Sequence, residues 1–330
     1  MVDIALKENI AATSRGAALR RFGRSDARFR VMTLGAALIV VAIFVGIMIS
    51  LVTGSWVALT TFGWGFLTSD DWNPVTEKFG ALPAIYGTLV SAALAMVIAV
   101  PLGIGVAIFL TELCPRALKR PIGIAIELLA GVPSIIYGIW GLFIFSPYFQ
   151  VHVQQHIIDW LGNAPVVQDL FAGPPYGIGL FTAGLILSIM ILPFMSAVTR
   201  DVFETVPPML KEAAYGVGCT TWEVMWRIVL PFSRSGVVGG AMLALGRALG
   251  ETMAVTFVIG NDHHIHESLF APATTISASI ANEFTEALGD KYVSSLIALG
   301  LILFGITFIV LAAAQLMLRG MERRAGGGKS

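Results

Sequence analysis

One basic and one acidic residue stand inside a long apolar stretch in the last third of the chain. Arg247 and Glu251 lie four residues apart in LALGRALGETMAVTFVIGN (243–261), so on a continuous helix they share one face and can form a salt bridge. A guanidinium group matches an oxyanion with two parallel hydrogen bonds, and a carboxylate close by would weaken that binding enough for release. The spacing therefore predicts an anion-contacting site, with a buried pair that only sets helix packing as the alternative.

A second group of chemically capable residues lies just beyond that stretch. Asp262, His263, His264 and His266 are residue types that ligate metals, and they follow the apolar segment directly. No second set of ligands lies nearby in the sequence. We therefore interpret this group as an exposed polar loop and predict no metal site.

The remaining candidate residues have simpler interpretations. Glu127 stands near the edge of an apolar stretch, where we expect its carboxylate to reach water at the headgroups rather than relay protons. The glycine-rich carboxyl end resembles part of a phosphate-binding loop, but Arg323 occupies the position of the leading glycine. Cys114 and Cys219 are far apart and outside any metal or redox motif, which predicts two isolated thiols.

The composition indicates what kind of environment these residues occupy. Of 330 residues, 56% are hydrophobic and 13% are charged, which is too apolar for a soluble domain of this length. The 21 basic and 21 acidic residues give a formal net charge of zero, so the total charge gives no reason to expect nucleic-acid binding. An integral membrane protein is the predicted class.

Six apolar stretches are long enough to cross a hydrocarbon layer of about 30 Å as helices. No small-residue cleavage pattern follows the first stretch, so we expect a retained span rather than a signal peptide. The sequence thus predicts an all-α membrane protein with six transmembrane helices. The predicted spans are 31–53, 84–110, 122–147, 177–199, 236–260 and 293–318.

The distribution of basic residues predicts the orientation, because short loops rich in Lys and Arg stay in the cytoplasm. Seven basic residues precede the first span, three follow the second, four follow the fourth and four follow the sixth, whereas the opposite loops hold only Lys78 and Lys291. Both termini are therefore predicted to be cytoplasmic. The predicted parts are an arm (1–30), a first transmembrane helix (31–53), a five-helix core (84–318) with a cytoplasmic loop (200–235), and a tail (319–330).

The cytoplasmic loop carries strong local signals. A helix is predicted from Pro208 until Gly216 and Gly218 end it, because proline suits the first helical turn and glycine suits a helix end. Thr220 with Glu223 three residues later predicts a capping box that starts a second helix, and Pro231 is expected to interrupt that helix before the fifth span.

Four apolar residues of the second helix have the spacing of one helical face. This stripe is Trp222, Met225, Trp226 and Val229. Two uses remain open, contact with a partner protein or an interfacial helix lying on its own bundle and the headgroups.

The same loop resembles the EAA loop of permease subunits of ABC importers, EAA-x3-G-x9-I-x-L-P. Every fixed position is filled at the family's spacing, by Glu212, Ala213, Ala214, Gly218, Ile228, Leu230 and Pro231. The resemblance implies the type I ABC importer permease fold, also called MetI-like. It also implies that the loop docks into a separate ATPase subunit, with Glu212 facing basic groups there and Gly218 permitting the turn.

Three further segments resemble the PstC family of phosphate importer permeases. They are LLAGVPSIIYGIWGLF (128–143), LILSIMILPFMSAVTRDVFETVPP (185–208) and the stretch that contains GETMAV, which favours PstC over the sister family PstA. The resemblance implies a phosphate pathway through Arg247 and Glu251 in the cell inner membrane and no cofactor in this chain. It implies as partners a homologous PstA-like permease, two PstB-like ATPases and an extracytoplasmic PstS-like phosphate-binding protein.

Other functions remain open from the residues alone. A permease for another oxyanion, such as sulfate, molybdate or phosphonate, would have similar spans, and a passive anion channel needs no coupling loop. An integral-membrane enzyme would require titratable groups that converge at one depth, whereas Glu127, Arg247 and the histidines are spread from the cytoplasmic edge to an outer loop. We therefore predict a transporter subunit without catalytic residues of its own.

Overall fold

The computed structural model describes the backbone of residues 2–161 and 169–326, and the side chains of residues 28–160 and 169–320. Within these ranges the chain is mostly helical, as predicted, with one short antiparallel pair of strands, β1 (Trp72–Asn73) and β2 (Lys78–Phe79). The helices are α1 (Val2–Gly54), α2 (Trp56–Phe62), α3 (Gly65–Thr68), α4 (Leu82–Leu113), α5 (Arg116–Ala130), α6 (Ser134–Trp160), α7 (Leu180–Glu204), α8 (Pro208–Gly216), α9 (Thr221–Leu249), α10 (Met253–Val258), α11 (Ile276–Glu283) and α12 (Asp290–Gly326).

The described residues contain six helices that are long and apolar enough to cross a membrane, which confirms the predicted number. They are Arg28–Gly54, Leu82–Leu113, Ser134–Trp160, Leu180–Glu204, Thr221–Leu249 and Asp290–Gly320. Four of them lie close to the predicted bounds. The last four residues of the predicted tail, 327–330, lie outside the described residues.

The third and fifth predicted spans were placed incorrectly as single helices. The third, predicted at 122–147, is divided at Gly131–Pro133 into α5 and α6, because proline disfavours the helical conformation of the residue before it. The fifth, predicted at 236–260, begins earlier at Thr221 and ends at Leu249, and a short helix follows it.

The chain forms two compact units, Met1–Thr53 and Gly54–Ser330. The first consists of nearly all of α1, whose apolar side chains from residue 31 onward are exposed, such as Leu38 at 60%. The 27-residue span Arg28–Gly54 is about 40 Å long, which is enough to cross the hydrocarbon layer.

In the second unit, α7 is the central helix and contacts α4, α5, α6, α9 and α10. Its side chains are the most deeply buried of the six spans, including Leu187, Ile191 and Met195. Because lipid tails are as apolar as the protein, such packing depends on close contact rather than on exclusion of water. The other helices are therefore positioned by the face of α7 that they contact.

Glycine permits the closest of these contacts, between α7 and α9. A Cβ atom on Gly236 would lie 2.6 Å from Cγ1 of Val202, and one on Gly240 would lie 2.7 Å from Cγ1 of Val198. Any larger residue would push the helices apart. The spacing of four residues between these glycines is typical of close helix pairs in membranes.

Candidate functional site

The loop that the sequence predicts to be cytoplasmic folds as a helix, a turn and a second helix, as predicted. Helix α8 starts at Pro208 and ends at Gly216, and the N–H of Cys219 donates to the carbonyl of Ala214 at 3.1 Å. Gly218 has a φ of +90°, a conformation that side chains other than glycine disfavour. The turn therefore depends on the glycine of the motif.

The second helix begins with the predicted capping box. The N–H of Thr220 donates to Oε2 of Glu223 at 2.9 Å, and the hydroxyl of Thr220 accepts from the N–H of Glu223 at 3.4 Å. Both bonds satisfy N–H groups that have no partner inside a helix. The start of α9 is therefore determined by two residues that are three apart in the sequence.

The predicted interruption at Pro231 was wrong, and the aromatic stripe does not form one surface. Helix α9 continues through a π-helical turn at Met225–Val229, which accommodates a proline that has no N–H to donate. Met225 and Val229 are buried, whereas Trp222 and Trp226 are exposed and lie edge to face with ring centroids 5.3 Å apart. The wider turn alters the angular spacing, so the four residues divide between the bundle and the outer face.

The motif residues have different environments. Ala214 is buried, Ile228 and Leu230 are half-buried, and Glu212, Ala213, Gly218 and Pro231 are exposed. Glu212 forms no ion pair or hydrogen bond with any residue that the structure describes. The loop thus presents one free carboxylate and two exposed indoles on a segment that is anchored by buried side chains.

An ion pair that sequence reasoning missed anchors α8 to α4. Nζ of Lys211 lies 2.6 Å from Oε1 of Glu112, and the two side chains are only 18% and 11% exposed. The residues are 99 positions apart, so no local pattern could reveal the contact. This pair joins the cytoplasmic loop to the end of the second span.

Arg247 and Glu251 do not share the face of one helix, which corrects the prediction. Helix α9 ends at Leu249, between the two residues, and no ion pair joins them in the described part of the chain. Oε1 of Glu251 instead accepts the N–H of Ala254 at 3.2 Å, in the first turn of α10. A carboxylate at this position is stabilised by the positive end of the helix dipole.

The break after α9 lies near the middle of α7. Before the break, Gly240 of α9 faces Val198 of α7. After the break, Val258 of α10 lies beside Gly141 of α6, where a Cβ atom would be 3.0 Å from Cγ1 of Val258, and Gly141 also faces Ile186 of α7. The break at 250–252 therefore lies between Val198 and Ile186 along the axis of α7. The α5–α6 break at 131–133 lies at a similar level, since Gly123 faces Arg200 and Gly141 faces Ile186.

Arg247 is an exposed cation beside these two breaks. It forms no hydrogen bond or ion pair with the residues that the structure describes. Near it, the hydroxyl of Tyr137 donates to the carbonyl of Leu129 at 2.9 Å, next to the α5–α6 break. Irregular backbone inside a membrane is tolerated where it is buried in protein or lines a cavity. The arrangement can offer one guanidinium group to an anion.

The histidines that follow the fifth span contact carboxylates. His264 and His266 lie 2.7 and 2.9 Å from Asp262. Burial alone would raise the pKa of Asp262, but hydrogen bonds from His266 and His264 outweigh it and lower that pKa. The described residues contain no group of three or more His, Cys, Asp or Glu side chains placed to hold a metal ion.

A second outer network joins β1 to α11 and α12, and sequence reasoning missed it. Trp72 and Tyr292 donate to Oε2 of Glu283 at 2.8 and 2.6 Å, and His263 lies 3.0 Å from the other oxygen. The ring of His263 stacks on that of Trp72. Burial would raise the pKa of Glu283, yet hydrogen bonds from His263 and Tyr292 hold it below its usual value.

Comparison with known proteins adds the family. The family described as "Binding-protein-dependent transport system inner membrane component" matches residues 99–323. The phosphate transport system permease protein PstC of Mesorhizobium japonicum is 64% identical over 314 residues, covering 95% of this chain and 96% of that protein. The PstC protein of Pasteurella multocida is 58% identical, covering 90% and 93%. A probable PstC of Methanocaldococcus jannaschii is 35% identical, covering 88% and 93%.

Two solved structures share the fold. A bacterial alginate ABC transporter in complex with an alginate-bound periplasmic protein matches with a TM-score of 0.59 and 18% identity, covering 90% of this chain and 97% of that one. The inward-facing MetNI methionine ABC transporter matches with a TM-score of 0.52 and 18% identity, covering 73% and 94%. These matches confirm the predicted permease fold. Together with six apolar helices and the family match, they show that this chain is a multi-pass inner-membrane protein and belongs to the PstC family of phosphate transport system permeases.

Proposed function

We propose that this chain is the membrane-spanning permease subunit of an ATP-driven phosphate importer. The observation that carries the proposal is the 64% identity over 95% of the chain to a PstC protein. Phosphate as the substrate comes from the names of the relatives, and the exposed guanidinium of Arg247 supports an oxyanion substrate. A permease for sulfate, molybdate or phosphonate is the alternative.

The substrate contact in this proposal is Arg247. Its guanidinium is free of protein partners in the described residues and lies near the middle of the bundle, beside two helix breaks. A desolvated ion pair with Glu251 would hold the cation away from an anion, whereas the carboxylate instead caps α10. Arg247 would therefore bind a phosphate ion through paired hydrogen bonds, and Glu251 would stabilise the break that exposes it.

The driving force in this proposal comes from outside the chain. Two PstB-like ATPase subunits hydrolyse ATP, and one of them contacts the cytoplasmic loop through Glu212, Trp222 and Trp226, which are exposed. Aromatic side chains contribute strongly to protein interfaces, and a free carboxylate can pair with basic groups there. Both termini would then be cytoplasmic, in line with the distribution of basic residues.

Movement of the loop would reach the bundle through two anchors. Lys211 ties α8 to Glu112 at the end of α4, and Met225 and Val229 are buried at the base of α9. Helix α9 leads without a gap from the loop to Arg247. A displacement of the loop would therefore shift the cation relative to α7. A homologous PstA-like permease would complete the pathway, and a PstS-like protein would deliver phosphate to the outer loops.

Reconstitution tests this function. The complete complex in proteoliposomes should take up labelled phosphate only when ATP, the ATPase subunits and the binding protein are all present. Uptake by this chain alone would indicate a passive channel. Inhibition of uptake by excess sulfate, molybdate or phosphonate as strong as that by excess phosphate would indicate another oxyanion permease.

A further inference from the structure

A cleft at the carboxyl end of α7 is lined by basic side chains. Its volume is about 330 Å³, at the lower end of the range for small-molecule sites, and it lies between the start of α5 and the end of α7. Four basic and two acidic side chains line it. They are Arg116, Lys119, Arg120, Arg200, Glu127 and Glu204.

Two of the four cations are already paired. Nη2 of Arg200 lies 2.8 Å from Glu127 and 2.9 Å from Asp201, and Nζ of Lys119 lies 3.2 Å from Glu204. The Arg200–Glu127 and Lys119–Glu204 pairs join α5 to α7. Both carboxylates that line the cleft are therefore already paired, Glu127 with Arg200 and Glu204 with Lys119.

The other two cations are free. Arg116 and Arg120 are exposed and form no ion pair or hydrogen bond with any residue in the described ranges. They are four residues apart on α5, so their side chains point to the same side of the helix. Like charges at this spacing repel each other, and an anion held between them removes that repulsion.

A glycine keeps the cleft open. Gly123 is buried, and a Cβ atom there would lie 3.1 Å from Nη1 of Arg200. A larger side chain would fill the space beside the guanidinium. The absence of a side chain at this position leaves room for a ligand that reaches Arg200 as well as the two free arginines.

Helix α5 also exposes apolar side chains. Leu118 and Leu128 of α5 are 51% and 70% exposed, although the helix carries its basic residues in the first two turns. A helix with cations at one end and exposed leucines along its length is typical of a membrane interface, where cations meet headgroups and leucines meet acyl chains. This pattern is the one expected of a cationic cleft at headgroup level.

We propose that this cleft binds a phosphate group, the chemistry shared by anionic phospholipid headgroups and free phosphate, and that the exposed leucines of the same helix favour the lipid. Arg116 and Arg120 supply the free charge, and Arg200 supplies a fixed donor at the base. Assignment to the cytoplasmic leaflet rests on the orientation proposed above. The binding itself is independent of orientation and of transport.

The test uses the complete complex purified in detergent. Native mass spectrometry would compare retention of phosphatidylglycerol with that of phosphatidylcholine, and equilibrium binding of labelled inorganic phosphate would be measured in an Arg247→Gln background. That background removes phosphate held by the transport path, so failure of the cleft and failure of the proposed path are distinguishable. The variants are Arg116→Gln with Arg120→Gln, and Gly123→Leu, which fills the cleft and retains every charge.

The proposal predicts preferential retention of phosphatidylglycerol, weakened roughly tenfold or more by the double arginine variant, as expected for two cations at a membrane surface. Gly123→Leu should weaken it comparably, and a control with Arg234→Gln and Arg319→Gln should not. The same pattern with inorganic phosphate alone would identify a free phosphate site and would also support the proposal. Binding of neither probe, or binding unchanged in both cleft variants, would overturn it.

Discussion

The loop predicted to be cytoplasmic and the helix break at Arg247 differ in whether their basic side chains are paired within the described residues. In the loop, Lys211 is paired with Glu112 in a contact that is largely shielded from solvent, so the segment is held firmly to the bundle. At the break, Arg247 has no protein partner in the described residues, and the nearby carboxylate of Glu251 caps α10 instead. A part that transmits force requires fixed contacts, whereas a part that binds and releases an anion requires a group that is free. Changes at Arg247, Lys211, Glu212 and Glu283 test this difference.

The largest effect is expected at Arg247. Arg247→Gln should lower ATP-dependent phosphate uptake roughly a hundredfold, the loss of about 2.7 kcal/mol of charge-assisted hydrogen bonding, while the complex still assembles. Uptake by proteoliposomes and co-purification of the subunits would measure the two effects. Arg247→Lys keeps the charge without the fork and should retain part of the activity. Normal uptake by the glutamine variant would remove Arg247 from the path.

Breaking the ion pair of the loop should lower stability, unlike the change at Arg247, which should leave the complex assembled. Lys211→Met leaves Glu112 largely buried and unpaired, which should destabilise the attachment of α8 by about 2 kcal/mol after allowance for partial exposure. Thermal unfolding would detect the change, and ATP hydrolysis should proceed with less phosphate moved per ATP. Lys211→Met combined with Glu112→Met should recover much of the stability. Equal losses in the single and double variants would show that the pair does not act as an anchor.

The free carboxylate of the loop should matter for the partner and not for the fold. Glu212→Lys should weaken association with the ATPase about tenfold, close to 1.4 kcal/mol, because it reverses an exposed charge expected to face basic groups. A pull-down with the purified ATPase would measure this. The unfolding temperature should stay unchanged, since Glu212 has no partner in the described residues. Undiminished association together with intact transport would contradict the assigned contact.

The smallest effect is expected in the outer network around Glu283. Because its pKa is held below the usual value of 4.5, the network contributes full stability above that pH and loses it as pH falls through the lower pKa of the folded state. Hydrogen exchange of residues 276–283, corrected for its chemical pH dependence, should be constant near neutrality and faster below pH 4.5. Glu283→Gln should remove this acid dependence. An equal acid response in that variant would assign it to other groups.

Local signals and tertiary contacts explain what the sequence could and could not predict. The capping box at Thr220 and the turn at Gly218 involve residues within three positions of each other, so they could be read directly. The break at Gly250 was missed because Arg247, Leu249 and Glu251 around it favour helices, and α10 is held in place by packing against α6. Lys211 and Glu112, like Trp72 and Glu283, are distant in sequence, so only the folded chain brings them together.

The most direct test of the account is the position of the loop relative to the membrane. Val217 is 81% exposed in the turn of the loop, and Val75 is 92% exposed in the β1–β2 hairpin. Each would be changed to cysteine in a background of Cys114→Ser and Cys219→Ser and treated with a membrane-impermeant maleimide. Position 217 should be labelled only in inverted vesicles and position 75 only in right-side-out vesicles. Labelling of position 217 from the outside would contradict it, because no ATPase could then reach the loop.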